Sequence, residues 1–519
     1  MFKQITHMSA PLLSHSSFNQ RRCFLPMSAD SVQSLWGSRP ARLSRAALGG
    51  LMIVGVAACG GGGDSGGFVA AFPMATTAPA PAPAPAALPE TPAPAPTGPA
   101  PTYKVSGKVR GLLGTGLVLQ NNVGDDLTIA ADGSFSFATE LASGAGYAVT
   151  VKSQSRILTR TCTVSNGTGT VADAAVVNVD VVCAAPPVRF AYATNAGSNN
   201  LFPYTVDTST GVLGSMAAPM SGTGSTPMAI TVDPAGRFAY VANRGDNTVS
   251  AYSIGAGTGF LVQVATITTG SAPLSIVVDP TGRFVYVVNQ GIDKVSGYII
   301  DASTGNLTPM TVPPVSVGFI PSSIALDSMG RFAYVTNRGN NTVSAFSIDE
   351  GSGALSPLTV PTVTTGNSPS AIALDPLGRF AYVTNSDDNT VSAYSIDAGS
   401  GLLTPMATVA TGVAPRSVAV DPTGRFAYVA NTIENNVSAY NIDTSTGALT
   451  PMVVPKVAAR VSPVAIALDP TGRFAYVTNS NSKDVSAYTI DANTGALTPM
   501  SVPTVATGGI GASSLALSR

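Results

Sequence analysis

The sequence predicts an all-β protein: a seven-bladed β-propeller closed by its C-terminal strand, preceded by a small β-sandwich and a Pro-rich linker. Three observations predict the propeller. Seven near-copies of one segment fill the C-terminal part of the chain, and a complete copy contains four strand-like pieces. The one piece that the first copy lacks occurs at the C-terminus. A fixed period of 46 or 48 residues is typical of repeat architectures.

Each copy is centred on Asp-Pro-x-Gly-Arg-Phe-Ala-Tyr-Val-x-Asn, followed by Val-Ser-Ala-Tyr-x-Ile. In the second copy the strand-like pieces are 228–232, 237–242, 248–254 and the looser 261–268. Asp-Pro-x-Gly between the first two suits a type I turn. The central tyrosines that mark the copies are Tyr192, Tyr240, Tyr286, Tyr334, Tyr382, Tyr428 and Tyr476.

Both faces of the central strand are apolar. Phe238 and Tyr240 point to one side, and the smaller Ala239 and Val241 point to the other. Four antiparallel strands that are covered on both faces, with large residues on one side and small on the other, are what a propeller blade needs.

The ends of the array predict how the ring closes. The first copy begins at Val188 and lacks the first strand and its turn, whereas residues 511–517 match that missing strand. We therefore expect the C-terminal strand to complete the first blade, which removes exposed strand edges. An open β-solenoid is the rival fold, and it requires capping units that the sequence does not show.

Charge and histidine content limit the functions open to this chain. Its formal net charge is −1, and 21 basic and 27 acidic residues follow position 58. We therefore expect no nucleic-acid partner. Both histidines, His7 and His15, precede residue 59, which excludes histidine-dependent catalysis from the rest of the chain. The sequence predicts no metal site and no cofactor.

An export signal is predicted near the N-terminus. Three arginines precede the apolar run 46–58, which is too short to span a bilayer comfortably. Residues 56–59 read Val-Ala-Ala-Cys and resemble the lipobox of bacterial lipoproteins. The resemblance implies a signal peptide, lipidation at Cys59 and a membrane contact through that lipid. Because Gly60 is not acidic, it further implies an outer-membrane lipoprotein of the cell envelope. An ordinary signal peptide is the alternative.

A stiff spacer and a small domain follow. Residues 73–101 contain 11 prolines, a composition that favours extended polyproline II. The next 80 or so residues show short alternating strands separated by turns, which predicts a β-sandwich. It resembles the immunoglobulin-like spacer modules of bacterial surface proteins. In an exported chain we expect Cys162 and Cys183 to form a disulfide rather than remain two free thiols.

The 519-residue chain thus divides into four predicted parts. A signal region occupies 1–58, and an anchor tether with the Pro/Ala-rich linker occupies 59–102. The β-sandwich spans 103–185 and the propeller spans 186–519.

The repeats carry a family resemblance. Residues 334–337 and 382–385 read Tyr-Val-Thr-Asn, which matches the YVTN-type propeller repeat. The array from 188 to 519 also resembles the seven-bladed lactonase family that includes bacterial 6-phosphogluconolactonase. That resemblance implies clustered Arg, Glu and His near the channel, and this chain departs from it by having no histidine there.

Residues that break the repeat register are the candidate site residues, because positions present in every copy are better explained by architecture. Arg416 stands where other copies carry Met, Leu, Ser or Val at the start of the innermost strand, and Glu434 is the one glutamate in the equivalent loops. This pair is the catalytic candidate, since it could polarise a lactone and activate water. The ligand-binding candidates are Lys294, Arg338, Asp387 and Lys483.

Three functions remain open at this point. The sequence favours an exported, lipid-anchored envelope protein whose propeller is a scaffold for binding a protein or a small carbohydrate-like ligand, and it favours binding over catalysis. The alternative is a lactonase resembling 6-phosphogluconolactonase that hydrolyses a sugar lactone. The third is a structural envelope protein.

Overall fold

The computed structural model describes residues 100–157, 160–216 and 220–519. The signal region, Cys59 and nearly all of the Pro-rich linker lie outside these ranges. Within them the chain forms strands and turns, with a single short 3-10 helix at Gln290–Ile292. None of the described segments contains a helix long and apolar enough to cross a membrane.

The first domain is a β-sandwich of two four-stranded sheets and one extra strand pair. Its core contains Val105, Leu119, Val149 and Val181, all buried. The first long strand pairs in parallel with the last, which strand alternation alone does not predict. The strands are Thr102–Tyr103, Val105–Arg110, Leu117–Asn121, Asp125–Ile129, Gly133–Ser136, Leu141–Ala142, Gly146–Ser153, Thr161–Ser165, Thr168–Thr170 and Val176–Ala184.

A disulfide joins Cys162 to Cys183. The two residues lie directly opposite each other on neighbouring antiparallel strands of one sheet, and both are buried. The cross-link therefore ties the C-terminal strand of the sandwich to its neighbour just before the chain enters the next domain.

The second domain is a ring of seven four-stranded antiparallel blades. The inner strands, from blade 1 to blade 7, are Ala512–Ser518, Pro227–Val232, Pro273–Val278, Pro321–Leu326, Pro369–Leu374, Pro415–Val420 and Pro463–Leu468. The second strands are Phe190–Asn195, Phe238–Asn243, Phe284–Asn289, Phe332–Asn337, Phe380–Asn385, Phe426–Asn431 and Phe474–Asn479.

The outer half of each blade is less uniform. The third strands are Asn200–Val206, Thr248–Ile254, Lys294–Ile300, Thr342–Ile348, Thr390–Ile396, Asn436–Ile442 and Asp484–Ile490. Blades 2, 4, 6 and 7 have the continuous outer strands Leu261–Thr268, Leu355–Thr364, Leu449–Ala458 and Leu497–Ala506. In blades 1, 3 and 5 the outer strand is split into Leu213–Ser215 with Ser221–Gly222, Leu307–Pro309 with Val315–Ser316, and Leu403–Pro405 with Val409–Ala410.

The C-terminal strand closes the ring. Ala512–Ser518 pairs antiparallel with Phe190–Asn195 from Phe190↔Ser518 to Asn195↔Ala512. It also contacts the inner strands of blades 2 and 7. The predicted seven-bladed ring and its closure by the C-terminus are therefore confirmed.

The recurring Asp-Pro-x-Gly turn is built as the sequence indicates. In blade 2 the Asp233 Oδ1 atom accepts hydrogen bonds from the backbone N–H groups of Arg237, at 2.5 Å, and Phe238, at 2.7 Å. Gly236 has φ +72°, a left-handed conformation that favours glycine. Asp233 is buried by these contacts, so the repeated aspartate is an architectural residue.

The two faces of each second strand pack against the two neighbouring blades. Phe238 and Tyr240 pack on blade 3, whereas Ala239 and Val241 pack on blade 1, as predicted. The Tyr240 phenol is fully buried and donates a hydrogen bond of 3.0 Å to the carbonyl oxygen of Gly305 in blade 3. All seven second-strand tyrosines make the equivalent bond.

The repeated arginine and asparagine are also structural. Arg237 stacks over Phe238, 5.1 Å from its ring centre, and donates to the carbonyl of Ala302 in the next blade at 2.9 Å. Asn243 ends its strand and donates to the hydroxyls of Thr248 and Ser250. Equivalent stacking recurs in all seven copies.

The two ends of the propeller differ in what they present. We call the end at which the second strands finish the asparagine end, and the opposite end the phenylalanine end. The chain leaves the sandwich strand Val176–Ala184 and enters the ring at Phe190, at the phenylalanine end. The ion pair of Arg156 in the sandwich with Glu350, which follows a third strand, lies at the same end. The asparagine end is thus turned away from the point of attachment.

Candidate functional site

A cavity of about 500 Å³ opens at the asparagine end of the central channel. Two positions of the repeat supply most of its wall. One is the second residue of each inner strand, and the other is the residue that follows the strand-end asparagine. Both positions vary between copies, so a near-symmetric ring carries an asymmetric cavity.

The inner-strand position divides the cavity wall into two kinds of surface. Blades 2, 3 and 7 present Met228, Leu274 and Val464, which form an apolar side. Blades 4, 5 and 6 present Ser322, Ser370 and Arg416, which form a polar side, and blade 1 presents Ser513 between blades of the apolar side.

The three serines at this position join neighbouring blades. Ser322 donates to the carbonyl oxygen of Pro369 at 2.7 Å, and Ser370 donates to that of Pro415 at 2.8 Å. Ser513 makes the same bond to Pro227 at 2.7 Å across the closed seam. Their protons are engaged in these bonds, and each hydroxyl oxygen also lies 2.8 Å from a threonine hydroxyl of the neighbouring strand, so these side chains are fixed in orientation.

Arg416 is the charged residue of this position. It extends from the inner strand of blade 6 into the open channel, where its side chain is exposed yet surrounded by the channel walls. Burial, together with the nearby charges of Arg338 and Arg244, lowers the pKa of the Arg416 guanidinium from its ordinary value. An anion bound beside Arg416 would offset the repulsion that Arg338 and Arg244 exert on it.

Arg244 and Arg338 reach the same cavity from a different position. Each directly follows a strand-end asparagine, on blades 2 and 4 respectively. Arg244 donates to the Gln290 side-chain oxygen at 3.2 Å. Within the described ranges, no carboxylate forms an ion pair with Arg244, Arg338 or Arg416. Three cations on alternate blades therefore surround a space suited to a negatively charged group.

Glu434 is not part of this wall. Its carboxylate accepts a hydrogen bond from the Lys456 ammonium at 2.6 Å and from the Val413 amide at 3.0 Å. These contacts hold the pKa of the Glu434 carboxyl below its ordinary value. The structure does not bring Arg416 and Glu434 together on the cavity wall.

The ligand-binding candidates separate in the same way. Arg338 lines the cavity, but Lys294, Asp387 and Lys483 do not. Lys294 begins the third strand of blade 3 rather than lying in a loop. Asp387 accepts a hydrogen bond from the Ser368 hydroxyl. Lys483 has a left-handed backbone conformation, with φ +60°.

Sequence reasoning missed two wall residues, Arg244 and Gln290. Both occupy the position that Arg338 occupies in its own copy, immediately after the strand-end asparagine. A comparison of that position across all seven copies is the signal that finds them. No group of three or more His, Cys, Asp or Glu side chains in the described part of the chain is placed to hold a metal ion.

Comparison with known proteins agrees with this architecture. A family model described as "Lactonase, 7-bladed beta-propeller" matches residues 138–277, 215–319, 271–461 and 418–510, which together run from 138 to 510. Comparison with curated proteins gave no match.

Solved structures share the fold at low sequence identity. A Bacteroides fragilis protein provisionally assigned as a 6-phosphogluconolactonase is 18% identical with a TM-score of 0.57, covering 64% of this chain and 98% of its own. A similar Bacteroides uniformis protein is 16% identical with a TM-score of 0.56, covering 63% and 99%. The periplasmic gluconolactonase of Pseudomonas aeruginosa is 21% identical with a TM-score of 0.55, covering 63% and 99%.

Proposed function

Because this chain belongs to the seven-bladed β-propeller Lactonase family, we propose that it hydrolyses a lactone in the arginine-lined cavity. One observation carries the proposal: Arg244, Arg338 and Arg416 surround one space, and no described carboxylate pairs with any of them. A neutral lactone becomes a hydroxy acid anion on hydrolysis, so positive charge held in this way stabilises what the reaction creates.

The chemistry assigned to the cavity is electrophilic. A guanidinium of the cluster hydrogen-bonds the lactone carbonyl oxygen, and water adds to the carbonyl carbon with loss of one proton to a second water molecule, which gives a tetrahedral oxyanion. That intermediate collapses with cleavage of the ring C–O bond, and the leaving alkoxide takes up a proton that the attacking water has lost. The product hydroxy acid ionises to a carboxylate, which the remaining arginines hold until release.

The proposal adopts the alternative function named from the sequence rather than the scaffold. The similar structures are described as a periplasmic gluconolactonase and provisionally as 6-phosphogluconolactonases. They support the fold. The Pseudomonas aeruginosa protein is described as periplasmic, so that lactone hydrolase with this fold lies outside the cytoplasm. Export, which the sequence predicts for the present chain, is thus compatible with lactone chemistry.

Export and lipid anchoring through Cys59 remain part of the proposal and rest on the sequence alone. The test is labelling of cells with radioactive palmitate, comparing the native chain with Cys59→Ala. We expect radioactive label in the native chain and none in the variant. Equal labelling of the two chains would reject the anchor.

Lactone hydrolysis is tested by proton release from the purified chain with a panel of γ- and δ-lactones. We expect turnover, and we expect Arg416→Ala to lower kcat/KM by roughly 10²-fold, as for loss of an oxyanion-stabilising group. Lys456→Ala is the matched control, because it removes one positive charge outside the cavity wall. Equal losses in the two variants would show a general charge effect. Tight ligand binding without any turnover would favour the scaffold function instead.

A further inference from the structure

The cavity wall is apolar at the inner-strand position of blades 2, 3 and 7, the last of which is next to the blade of Arg416. Met228, Leu274 and Val464 supply the wall on blades 2, 3 and 7 and are half-buried. A catalytic cavity for a polyhydroxylated sugar has no need of such a side, because sugar hydroxyls require hydrogen-bond partners when they lose water.

The rim beside this wall carries exposed apolar side chains. Ile510 precedes the wall residue Gly511 and is 56% exposed, and Ile292 follows the wall residue Gln290 by two positions and is 42% exposed. Val461, three residues before Val464, is 52% exposed. We call Met228, Leu274, Val464, Val461, Ile292 and Ile510 together the apolar arc.

The concentration of exposed apolar residues distinguishes this end of the ring. Phe319, Val413 and Ile433 add further exposed apolar area to the rim on blades 4 and 6. The turns at the phenylalanine end hold two large exposed apolar residues, Phe260 and Leu377. Exposed apolar side chains around a concave polar site are typical of a ligand-binding surface.

We propose that the site takes a lactone that carries an apolar substituent, with the ring ester at the arginine cluster and the substituent along the apolar arc. This inference rests on the proposed lactone hydrolysis. Charge complementarity selects one end of the occupant, because the arginine cluster fits the oxyanion and the carboxylate formed there. The apolar arc fits an alkyl or aryl group on the same substrate. An unsubstituted or polyhydroxylated lactone would leave the arc in water.

The test compares γ-butyrolactone, γ-octalactone, γ-dodecalactone and glucono-δ-lactone as substrates of the full chain. We expect kcat/KM to rise by roughly two- to fivefold for each two methylenes added, because each is partly removed from water on the arc. Glucono-δ-lactone should be the poorest substrate. Values of kcat/KM that are independent of alkyl length, or highest for glucono-δ-lactone, overturn the inference while leaving lactone hydrolysis in place.

Two variants locate the effect. Leu274→Ser and Ile292→Ser should each lower the ratio of kcat/KM for γ-dodecalactone over that for γ-butyrolactone by about fivefold. Leu377→Ser is the matched control, since Leu377 is 57% exposed at the other end of the ring, and the ratio should stay constant. A ratio that is insensitive to both arc substitutions overturns the assignment of the arc.

A binding measurement separates failure of this inference from failure of the proposed function. If no lactone is hydrolysed, the proposed function is wrong, and titration calorimetry with decanoate and acetate then decides what the cavity holds. Decanoate binding that Arg416→Ala and Leu274→Ser both weaken retains a site for amphiphilic anions. Decanoate binding no tighter than that of acetate rejects both proposals.

Discussion

The phenol of Tyr476 donates a hydrogen bond of 2.6 Å to the carbonyl oxygen of Gly211, which lies 265 residues away in the sequence. Tyr476 belongs to blade 7 and Gly211 to blade 1, so this contact crosses the seam at which the ring closes. Each of the other six blade interfaces has the same bond. Judged by this bond, the seam is equivalent to an interface within the continuous chain.

Replacing Tyr476 by Phe should destabilise the propeller by about 1–3 kcal/mol, because the Gly211 carbonyl loses its donor in a buried interface. Urea unfolding followed by circular dichroism measures the change. Tyr240→Phe is the matched control, since it deletes the same bond between blades 2 and 3. Losses that agree would support equivalence of the seam, and a much larger loss at Tyr476 would contradict it.

A second set of tyrosine hydrogen bonds joins neighbouring blades, and it is missing at one of the seven interfaces. Six third-strand tyrosines donate to a carbonyl of the preceding blade, as Tyr252 does to Gly222 and Tyr298 to Thr268, each 30 residues earlier. Blade 4 has Phe346 at this position, so Phe346→Tyr should form the missing bond to the Ser316 carbonyl. We expect a gain of about 1 kcal/mol in the free energy of unfolding. A loss of stability would mean that the hydroxyl does not fit.

Acid should weaken the turns that follow the third strands. Hydrogen bonds from Ser303 and from the backbone and side chain of Thr304 lower the pKa of the Asp301 carboxyl from its ordinary value of 3.8 to about 2. The carboxylate therefore stabilises the fold above about pH 4, and that contribution is lost as the pH falls towards 2. Melting temperatures measured between pH 5 and pH 2 should fall less steeply in Asp301→Asn. An unchanged slope would show that this turn does not control acid stability.

Replacing Glu434 tests whether a carboxylate takes part in catalysis, since no carboxylate is among the described residues that line the cavity. Because it pairs with Lys456 outside the wall, Glu434→Gln should change kcat/KM for lactones by less than about twofold, whereas loss of a general base costs roughly 10²–10⁴-fold. Steady-state rates of the variant beside Arg416→Ala measure this. A drop of the larger size would restore the catalytic pairing of Arg416 and Glu434 that the sequence suggested.

Removal of residues 512–519 should abolish cooperative melting of the propeller near its native temperature, because blade 1 then loses its inner strand and exposes a strand edge. Leu515→Ala is a milder change at a site that is 7% exposed. It should lower the free energy of unfolding by about 2–4 kcal/mol, and it tests the same strand if the truncated chain does not fold. Calorimetry gives both values. Native-like melting of the truncated chain would contradict the role of this strand.

Sequence reasoning recovered the architecture because the repeat displays it seven times. The alternation of Phe238 and Tyr240 with Ala239 and Val241 identified both buried faces, and the incomplete first copy identified the closing strand. The parallel pairing of Val105–Arg110 with Val176–Ala184 in the sandwich was not predictable, since a pattern of alternation is the same for parallel and antiparallel neighbours.

The candidate site was only partly accessible to such reasoning. Arg416 and Arg338 stood out because they break a repeat, and both line the cavity. Glu434 broke the repeat as well, but its partner Lys456 lies in an outer strand whose register a sequence does not reveal. Arg244 occupies the same position as Arg338 in another copy, and it was overlooked because that position was not compared across all seven copies.

Attachment of the sandwich at the phenylalanine end leaves the entrance of the arginine-lined cavity pointing away from the side on which the sandwich lies. Immobilising the protein on a bead or sensor chip through that side would present the entrance to the flowing solution. A lactone borne at the tip of a bulky polymer would then reach the guanidinium groups without first passing the sandwich.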